Sequence, residues 1–447
     1  MFQTLKNAWS VPEIRKKFIY TLIMIIIFRL GSAITVPFLD LAKVQSWVSE
    51  NATGGNFLEY LNILTGGALS KATIFSLSIT PYINASIIIQ LLTYALPPLE
   101  RLQEEGEEGR KVINKIMAYV ALGLAIFMSI AYYFTMKNSM GAVKYTTGAY
   151  GWFAAIVIVA CFAAGASFVV WMGNRISEKG IGNGVSMILF AGILARFPTD
   201  VGTLIELTKT TPAKYFWVTL AVLVTFVLMI GFIVFMNEAE RRIPIQYAKR
   251  VVRGGRGMMG GQNTHIPIKV CMSGVMPIIF AMAFMSLPST ISLFVKPAET
   301  LEIAKENGFW STFYFHFINF FRTTSGGYAV LYLILIVAFN YFYVSMQYNP
   351  IEIANGLRQN NGAIPGIRPG KPTSDYLQRV LGKITLVGAV FLGIIAIFPI
   401  MITWIDPNLA SLSMGGTSIL IVVSVALETA RTLESQLMMR HHKRFLG

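Results

Sequence analysis

Repeated apolar stretches of about 20 residues constrain this chain more than any other feature of its sequence. A helix needs roughly 20 apolar residues to cross the ~30 Å hydrocarbon core of a bilayer. Ten stretches are long enough, although the fifth and eighth are the least regular: 18–36, 74–96, 113–136, 152–172, 184–207, 215–235, 270–294, 328–344, 381–404 and 418–437. Only 13% of the residues are charged, about half the share found in soluble domains. The sequence therefore predicts an all-α polytopic membrane protein with about ten transmembrane helices.

Basic residues are distributed unevenly between alternate loops. Of the 37 Lys and Arg residues, 26 fall in the two termini and the even-numbered loops, and 10 fall in the odd-numbered loops. Because short basic loops stay on the cytoplasmic side, both termini are predicted to be cytoplasmic. Two of these cytoplasmic loops, 237–269 and 345–383, are long and basic. Their Gly and Pro residues favour shaped hairpins over loose tails, although the charge alone could serve only to orient the chain.

Arg29 is the remaining basic residue, and it lies within the first span, about two-thirds of the way toward the outside. Its long aliphatic stem would allow the charge to reach the outer interface. A charged residue inside a membrane span is also a common sign of a functional site. The sequence leaves both interpretations open, a snorkelling side chain or a role in gating.

Proline residues lie at membrane depth in two of the predicted spans. Pro81 is predicted to interrupt the second span, and Pro277 and Pro288 the seventh. These spans occupy the same position in two five-helix halves, 1–207 and 208–447, as in inverted repeats that enclose a pathway at their interface. A Gly-rich segment, 54–76, precedes the second span. It is either an ordinary external loop or a short helix that folds back into a cavity.

The sequence contains no complete catalytic motif. Gly255, Gly257 and Gly260 match G-x-G-x-x-G, but no buried strand precedes them, as a dinucleotide site requires. Neither H-E-x-x-H nor G-x-S-x-G is present, and two cysteines in separate segments predict no disulfide, metal or other cofactor. We expect no carboxylate in the central part of any span, which argues against an ion-coupled transporter. Such a transporter is the second interpretation of the function, and a membrane-embedded hydrolase is the third. The sequence favours a conduit with docking sites.

Several motifs then point to one family. They are FRLGSAITVPFLD at 28–40, the stretch 62–92 that ends in SIIIQLL, GIGNGVSMILFAGI at 180–193, RRIPIQYAKR at 241–250, QNTHIPIKV at 262–270, SGVMPIIFA at 273–281, NGAIPGIRPGKPT at 361–373 and GGTSILIVV at 415–423. In this order and spacing, they resemble the SecY family of preprotein-translocase channels across nearly the whole chain. The resemblance implies two pseudo-symmetric inverted five-helix halves around an hourglass pore, and a protein-conducting channel that also releases hydrophobic segments sideways into lipid.

The resemblance also implies roles for individual residues. It assigns a pore ring to Ile83, Ile87, Val185, Leu189, Ile279 and Ile421. It places a mobile plug at about residues 61–73, including Leu61, Asn62, Leu64, Gly66, Gly67, Leu69 and Ser70. It places a lateral gate between the second and seventh helices at Ile88, Gln90, Pro277 and Leu287.

The resemblance further implies partners for the two long cytoplasmic loops. It predicts docking of the SecA ATPase and the ribosome at Arg241, Arg242, Lys249, Arg250, Arg256 and Arg368, with SecE and SecG as small membrane subunits. Signal peptides, unfolded preproteins and lipid would be the other ligands, and the channel itself would be passive rather than an enzyme, in the bacterial cytoplasmic membrane. The tip of the first loop, 251–261, is longer than is usual in the family. Which arginine near residues 250–257 makes the main contact therefore stays open.

The charge distribution leads to a direct test of orientation. Single cysteines introduced as Gly255→Cys and Gly366→Cys should react with an impermeant thiol reagent only from the cytoplasmic side, because both lie in predicted cytoplasmic loops. The measurement is labelling of intact cells compared with inverted membrane vesicles. Labelling of either cysteine in intact cells would contradict the predicted topology.

Overall fold

The computed structural model describes residues 9, 11–51, 62, 65–138, 140–210, 212–247, 263–294, 305, 308–321, 325–405 and 415–443. We number its elements in chain order. The helices before the first strand are α1 (Pro12–Gly31), α2 (Leu41–Asn51), α3 (Thr80–Ala95), α4 (Pro97–Glu104), α5 (Glu107–Asn138), α6 (Gly148–Lys179), α7 (Gly184–Thr210) and α8 (Pro212–Glu238). The later elements are β1 (Glu240–Tyr247), β2 (Asn263–Lys269), α9 (Met276–Phe294), α10 (Phe309–Phe320), α11 (Gly326–Gln347), α12 (Pro350–Gln359), β3 (Gly362–Ala363), α13 (Lys371–Ile405) and α14 (Gly415–Lys443).

A helix of this set covers each of the ten predicted spans: α1, α3, α5, α6, α7, α8, α9, α11, α13 and α14. Judged by length and hydropathy alone, five of the described helices could cross a membrane, or six if the bent pair α3 and α4 forms one span. The axis turns by 103° between α3 and α4. The prediction of a mostly helical membrane protein is confirmed.

Two predicted span boundaries are wrong for the same physical reason. Helix α3 begins at Thr80, not near Ile74, so that Pro81 lies in its first turn. Helix α9 begins at Met276, so that Pro277 also lies in a first turn. Proline is well suited to the first turn of a helix because the N–H that it lacks would have no intrahelical partner there. Pro288 does lie inside α9, but the helix continues through it to Phe294 and is not interrupted.

The expectation that no carboxylate lies in the central part of a span is wrong for the predicted tenth span. Glu428 lies near the middle of residues 418–437. Helix α14 continues to Lys443, however, and Glu428 interacts electrostatically with Lys269 at the end of β2. The carboxylate is exposed and lies beside the long loop 237–269, not in the centre of the helical body.

The apolar core is divided into three main clusters. One lies in the first half of the chain, between α5, α6 and the segment 65–79, around Tyr132 and Phe162. Another lies in the second half, between α8, α9, α11 and α13, around Tyr332 and Phe391. The third joins the halves, because it includes side chains of α1, α6 and α7 together with Ile421 of α14.

The long loops form a small sheet, in which the first loop is a hairpin, as the Gly and Pro spacing favours, and the second contributes a single short strand. Strands β1 and β2 pair antiparallel, from Glu240 opposite Lys269 to Gln246 opposite Asn263. The second loop contributes β3, in which Ala363 pairs with Gln246, so the strand order is β2-β1-β3. A further apolar cluster beneath the sheet includes residues of β1, β2, α12 and α13. The two long loops are therefore one structural unit.

Candidate functional site

The apolar cluster between the two halves contains four of the six predicted pore-ring residues. They are Ile83 of α3, Val185 and Leu189 of α7, and Ile421 of α14. Val185 and Leu189 lie on one face of α7 because they are four residues apart. Leu189 and Ile421 are buried, with 5% and 3% of their surface exposed. Branched aliphatic side chains from three helices thus meet where the halves join.

The other two predicted ring residues are buried nearby but are not members of that cluster. Ile87 of α3 and Ile279 of α9 are 8% and 9% exposed. The α9 side of the cluster is formed instead by Val275, just before the helix, and by Met282. Met282 is one turn beyond Ile279, so the two side chains lie on the same face of α9.

The segment 65–79 folds back into the protein as a run of turns, with almost every side chain buried. Of the two interpretations left open by the sequence, the structure favours a segment folded into a cavity, although its described residues form turns and not a helix. The Tyr132 hydroxyl of α5 donates to the Leu69 carbonyl at 3.0 Å. The chain after α1 pairs with it as well, because Val36 N–H donates to the Ala72 carbonyl at 3.0 Å. Backbone and side chain both hold this segment in place.

Hydrogen bonds within the segment give it a defined shape. The Asn62 side-chain oxygen accepts from the Ser70 N–H at 3.0 Å, and the Ser70 hydroxyl donates to the Gly67 carbonyl at 2.9 Å. Asn62, Gly66, Gly67, Leu69 and Ser70 of the predicted plug all lie in this folded-back region. The remaining two plug residues, Leu61 and Leu64, lie outside the described residues.

Gly66 occupies the tightest position in the segment. Its φ of +66° belongs to the left-handed region that favours glycine. A Cβ placed on Gly66 would lie 2.6 Å from the Gly192 carbonyl oxygen of α7 and 2.7 Å from Arg29 Nη1. Gly67 also has a positive φ, +84°, but a Cβ there would meet open space. The segment is thus wedged against α7 at Gly66 and not at Gly67.

Arg29 lies in the last turn of α1 and is half-buried. Its Nη1 is fully buried and has no hydrogen-bond partner among the described residues. Its guanidinium contacts the folded-back segment at Gly66. The contact favours a role at the segment over simple snorkelling, which would place the guanidinium in the outer interface.

The predicted lateral-gate residues occupy varied positions. Ile88 of α3 is 40% exposed, and Gln90 donates to the Ser86 hydroxyl of its own helix at 3.1 Å. Pro277 is buried in the first turn of α9. Leu287 lies within α9, and the environment of its side chain is not described. These residues lie on the two predicted gate helices, but no described hydrogen bond joins them across the seam.

Sequence reasoning missed two contacts at this seam. Tyr94, in the last turn of α3, packs edge-to-face against Phe342 of α11, with ring centroids 5.7 Å apart. Just before α9, the Ser273 hydroxyl donates to the Asn340 side-chain oxygen, and Asn340 Nδ2 donates to the Thr385 carbonyl at 2.8 Å. The first contact joins the two halves directly, and the second fixes the beginning of α9 to α11 and α13.

The predicted docking residues lie on the sheet and the segment that follows it. Arg241 and Arg242 of β1 are exposed, and Arg242 pairs with Glu240 at 2.6 Å. Arg368 is exposed five residues after β3. Lys249, Arg250 and Arg256 lie outside the described residues. Both loops therefore present exposed guanidinium groups.

The base of this sheet is attached to α14. Arg431 donates to the Asn237 carbonyl at 2.9 Å, and Asn237 Nδ2 donates to the Ser424 hydroxyl at 3.1 Å. Burial lowers the pKa of Lys269 at the end of β2, and the nearby Arg431 lowers it further, while Glu428 and Glu240 act in the opposite direction. The same helix carries Ile421, so the exposed sheet is linked to the central cluster through α14. No sequence pattern signals this link, because its members are far apart in the chain.

Within the described residues no group of three or more His, Cys, Asp or Glu is placed to hold a metal ion. Cys161 and Cys271 are both free thiols. The site thus consists of an apolar cluster at the junction of the halves, a buried segment folded against it and an exposed basic sheet.

Comparison with known proteins gives a consistent result. A family model described as SecY matches residues 73–430. The "Protein translocase subunit SecY" of Mycobacterium bovis is 37% identical over 453 residues, which cover 100% of both chains. Two solved channels share the fold at low identity. A SecY structure, described as having a plug domain that maintains a membrane seal, has a TM-score of 0.59 and 17% identity, covering 94% of this chain and 92% of that chain. Sec61 in the canine ribosome-channel complex has a TM-score of 0.55 and 16% identity, covering the same shares.

The contrast between Gly66 and Gly67 yields a matched pair of variants. Gly66→Ala should destabilise the folded-back segment by about 1–3 kcal/mol more than Gly67→Ala, because the added methyl overpacks the contact with Gly192 and Arg29. Both variants share the strain of a positive φ, so their difference isolates the steric contact. The measurement is ion leak through vesicles containing each purified variant. Equal leak from both variants would contradict a role for the Gly66 contact in holding the segment closed.

Proposed function

Because this chain belongs to the SecY family, we propose that it is the protein-conducting channel of a preprotein translocase. In this proposal it passes unfolded secretory polypeptides across the bacterial cytoplasmic membrane and releases hydrophobic segments sideways into lipid. The observation that carries the proposal is the apolar cluster at the junction of the halves, with the segment 65–79 packed against it.

The pore ring would seal the channel because its side chains offer no polar partners to water or ions. Ile83, Val185, Leu189 and Ile421 offer water and ions no hydrogen bonds, so a narrow ring of such side chains closes by dewetting. The same property lets the ring deform around an extended polypeptide of any sequence, because it offers no specific polar contact. Ile87 and Ile279 are proposed to complete the ring. The halves themselves, 1–207 and 208–447, would move as the two sides of a clamshell.

The segment 65–79 would serve as the plug, in the role described for the plug domain of the related SecY structure. Its contacts suit a reversible seal. Tyr132 and the chain at Val36 hold it by hydrogen bonds, and Gly66 fits closely against α7. A signal peptide would displace it by inserting between α3 and α9, where Ile88, Gln90, Pro277 and Leu287 are proposed to line the gate.

The basic sheet would dock the machinery that supplies energy, since the channel is proposed to be passive. Arg241, Arg242 and Arg368 present guanidinium groups that pair well with phosphate or carboxylate. The related Sec61 structure is a ribosome-channel complex, which supports a ribosome as one partner. The SecA ATPase is proposed as the other partner, with SecE and SecG as accompanying membrane subunits. The sheet and both termini are proposed to face the cytoplasm.

Replacement of Ile421 by Asn tests the channel directly. The amide would offer hydrogen bonds at the constriction, lower the barrier to wetting and weaken the closed state. A shortened signal gains less free energy in lipid, about 0.8 kcal/mol for each CH₂ no longer buried, so a weaker closed state should restore its export. We therefore expect increased ion leak in reconstituted bilayers together with export of proteins that carry defective signals.

Ile394→Asn is the matched control, because Ile394 on α13 is 55% exposed and predicted to face lipid. It introduces the same amide without touching the central cluster. If Ile421→Asn and Ile394→Asn have the same conductance and the same signal stringency as the unmodified protein, the pore assignment of Ile421 is wrong.

A second variant tests the docking surface. Arg368→Glu should abolish SecA-driven export while the protein stays inserted, because reversal of an exposed charge costs little stability. Arg358→Glu, an exposed charge reversal at the end of α12 in the same loop, is the control and should export normally. The assay is protease protection of a preprotein in vesicles supplied with SecA and ATP. Normal export by Arg368→Glu would remove this residue from the docking surface.

A further inference from the structure

Helix α10 presents an aromatic face that the described parts of the protein leave uncovered. Phe309, Phe313, Phe317 and Phe320 recur every three or four residues, so they lie on one side of the helix, with Trp310 beside them. Their exposed fractions range from 38% to 79%, and none of the helix's residues is fully buried. His316 is exposed at the margin of the same face. A water-facing helix normally places polar residues there.

The C-terminal end of α10 is attached to the helical body. A Cβ on Gly327, in the first turn of α11, would lie 2.3 Å from the Phe320 ring, so this last ring of the aromatic face packs on the glycine. Phe321 follows and packs against the core of the second half. Helix α10 also contacts α9. The uncovered part of the aromatic face is therefore its first half, where Phe309 and Phe313 are 78% and 55% exposed.

Length and charge decide what covers this face. Twelve residues of helix extend about 18 Å, too short for the ~30 Å hydrocarbon core. Residues 308–321 contain no Lys, Arg, Asp or Glu. Tryptophan is enriched where the membrane meets water, and helices that lie in this interface carry Trp, Phe and Leu on their apolar face. The flanking helices also expose apolar side chains, such as Ile291 of α9 and Ile334 of α11, as helices that face hydrocarbon do.

We propose that α10 is an interfacial helix whose aromatic face, centred on Phe313, inserts among the lipids of the outer leaflet. It holds the outer ends of α9 and α11 at the level of the lipid headgroups. Because the helix is uncharged, apolar burial drives this contact, and anionic lipids are not required. The proposal rests on the membrane location and orientation proposed above, but not on the transport of preproteins.

Spin labels at two phenylalanine positions test the proposal. In a background of Cys161→Ser and Cys271→Ser, single cysteines are introduced as Phe313→Cys and Phe315→Cys, which lie on different sides of α10. The full-length chain, with any subunits that copurify, is reconstituted in vesicles of phosphatidylethanolamine and phosphatidylglycerol. Nitroxide collisions are then measured with oxygen, which concentrates in lipid, and with a water-soluble nickel chelate. Gly366→Cys in the basic loop serves as the water-exposed reference.

The proposal expects the label at residue 313 to collide several-fold more often with oxygen than with nickel. The label at residue 315, where the native side chain is half-buried, should be less accessible to oxygen than that at residue 313. Frequent nickel collisions at residue 313 would place the face in water and overturn the proposal. Low collision rates with both reagents there would show that a protein, a small subunit or a second copy, covers the face, which also overturns it. In vesicles whose cytoplasmic side faces inward, nickel chelate added only to the outside should not reach residue 366. If it did, the proposed orientation would be wrong, whatever the result for the lipid contact at residue 313.

Discussion

The hydrocarbon interior of a membrane supplies no hydrogen bonds, and this constraint governs the whole structure. Backbone in that environment must be helical, or else buried within protein where other groups satisfy it. Most of the chain meets the requirement with long helices. The segment 65–79 does not, and it exists only because Tyr132, the strand-like stretch at Val36 and its own serine and threonine hydroxyls pair with its backbone. Irregular backbone at this depth is therefore stable only where other parts of the protein enclose it.

The same constraint separates the molecule into parts of different character. The cluster where the halves meet consists of apolar side chains, which bring no specific polar contact to it. Polar contacts are concentrated at its margins. The Asn340 network fixes the beginning of α9, and the bonds of Arg431 and Asn237 fix the base of the sheet to α14. An adaptable centre with fixed margins suits a passage that must open around varied polypeptides and return to one closed form.

Sequence reasoning recovered the helical spans because their apolar length is a local property of the chain. It recovered the paired strands of the basic loops for a similar reason, since Gly and Pro spacing marks turns directly. It misplaced the starts of α3 and α9 because a proline inside an apolar run reads equally well as a break or as a first-turn residue. Tyr94 with Phe342 and Arg431 with Asn237 stayed hidden, because contacts between residues hundreds of positions apart leave no pattern in one sequence. The sequence analysis assigned no structure to the segment of α10, although its aromatic spacing was visible in the sequence.

The pairing of β1 with β2 has a consequence for how such a protein diverges. The register from Glu240 opposite Lys269 to Gln246 opposite Asn263 is complete before the chain reaches the tip at 251–261. Residues inserted or exchanged between Tyr247 and Asn263 change the reach and chemistry of the tip without shifting the paired residues beneath it. Selection can therefore refit the tip to a new partner while the paired strands and the helices beneath them keep their geometry.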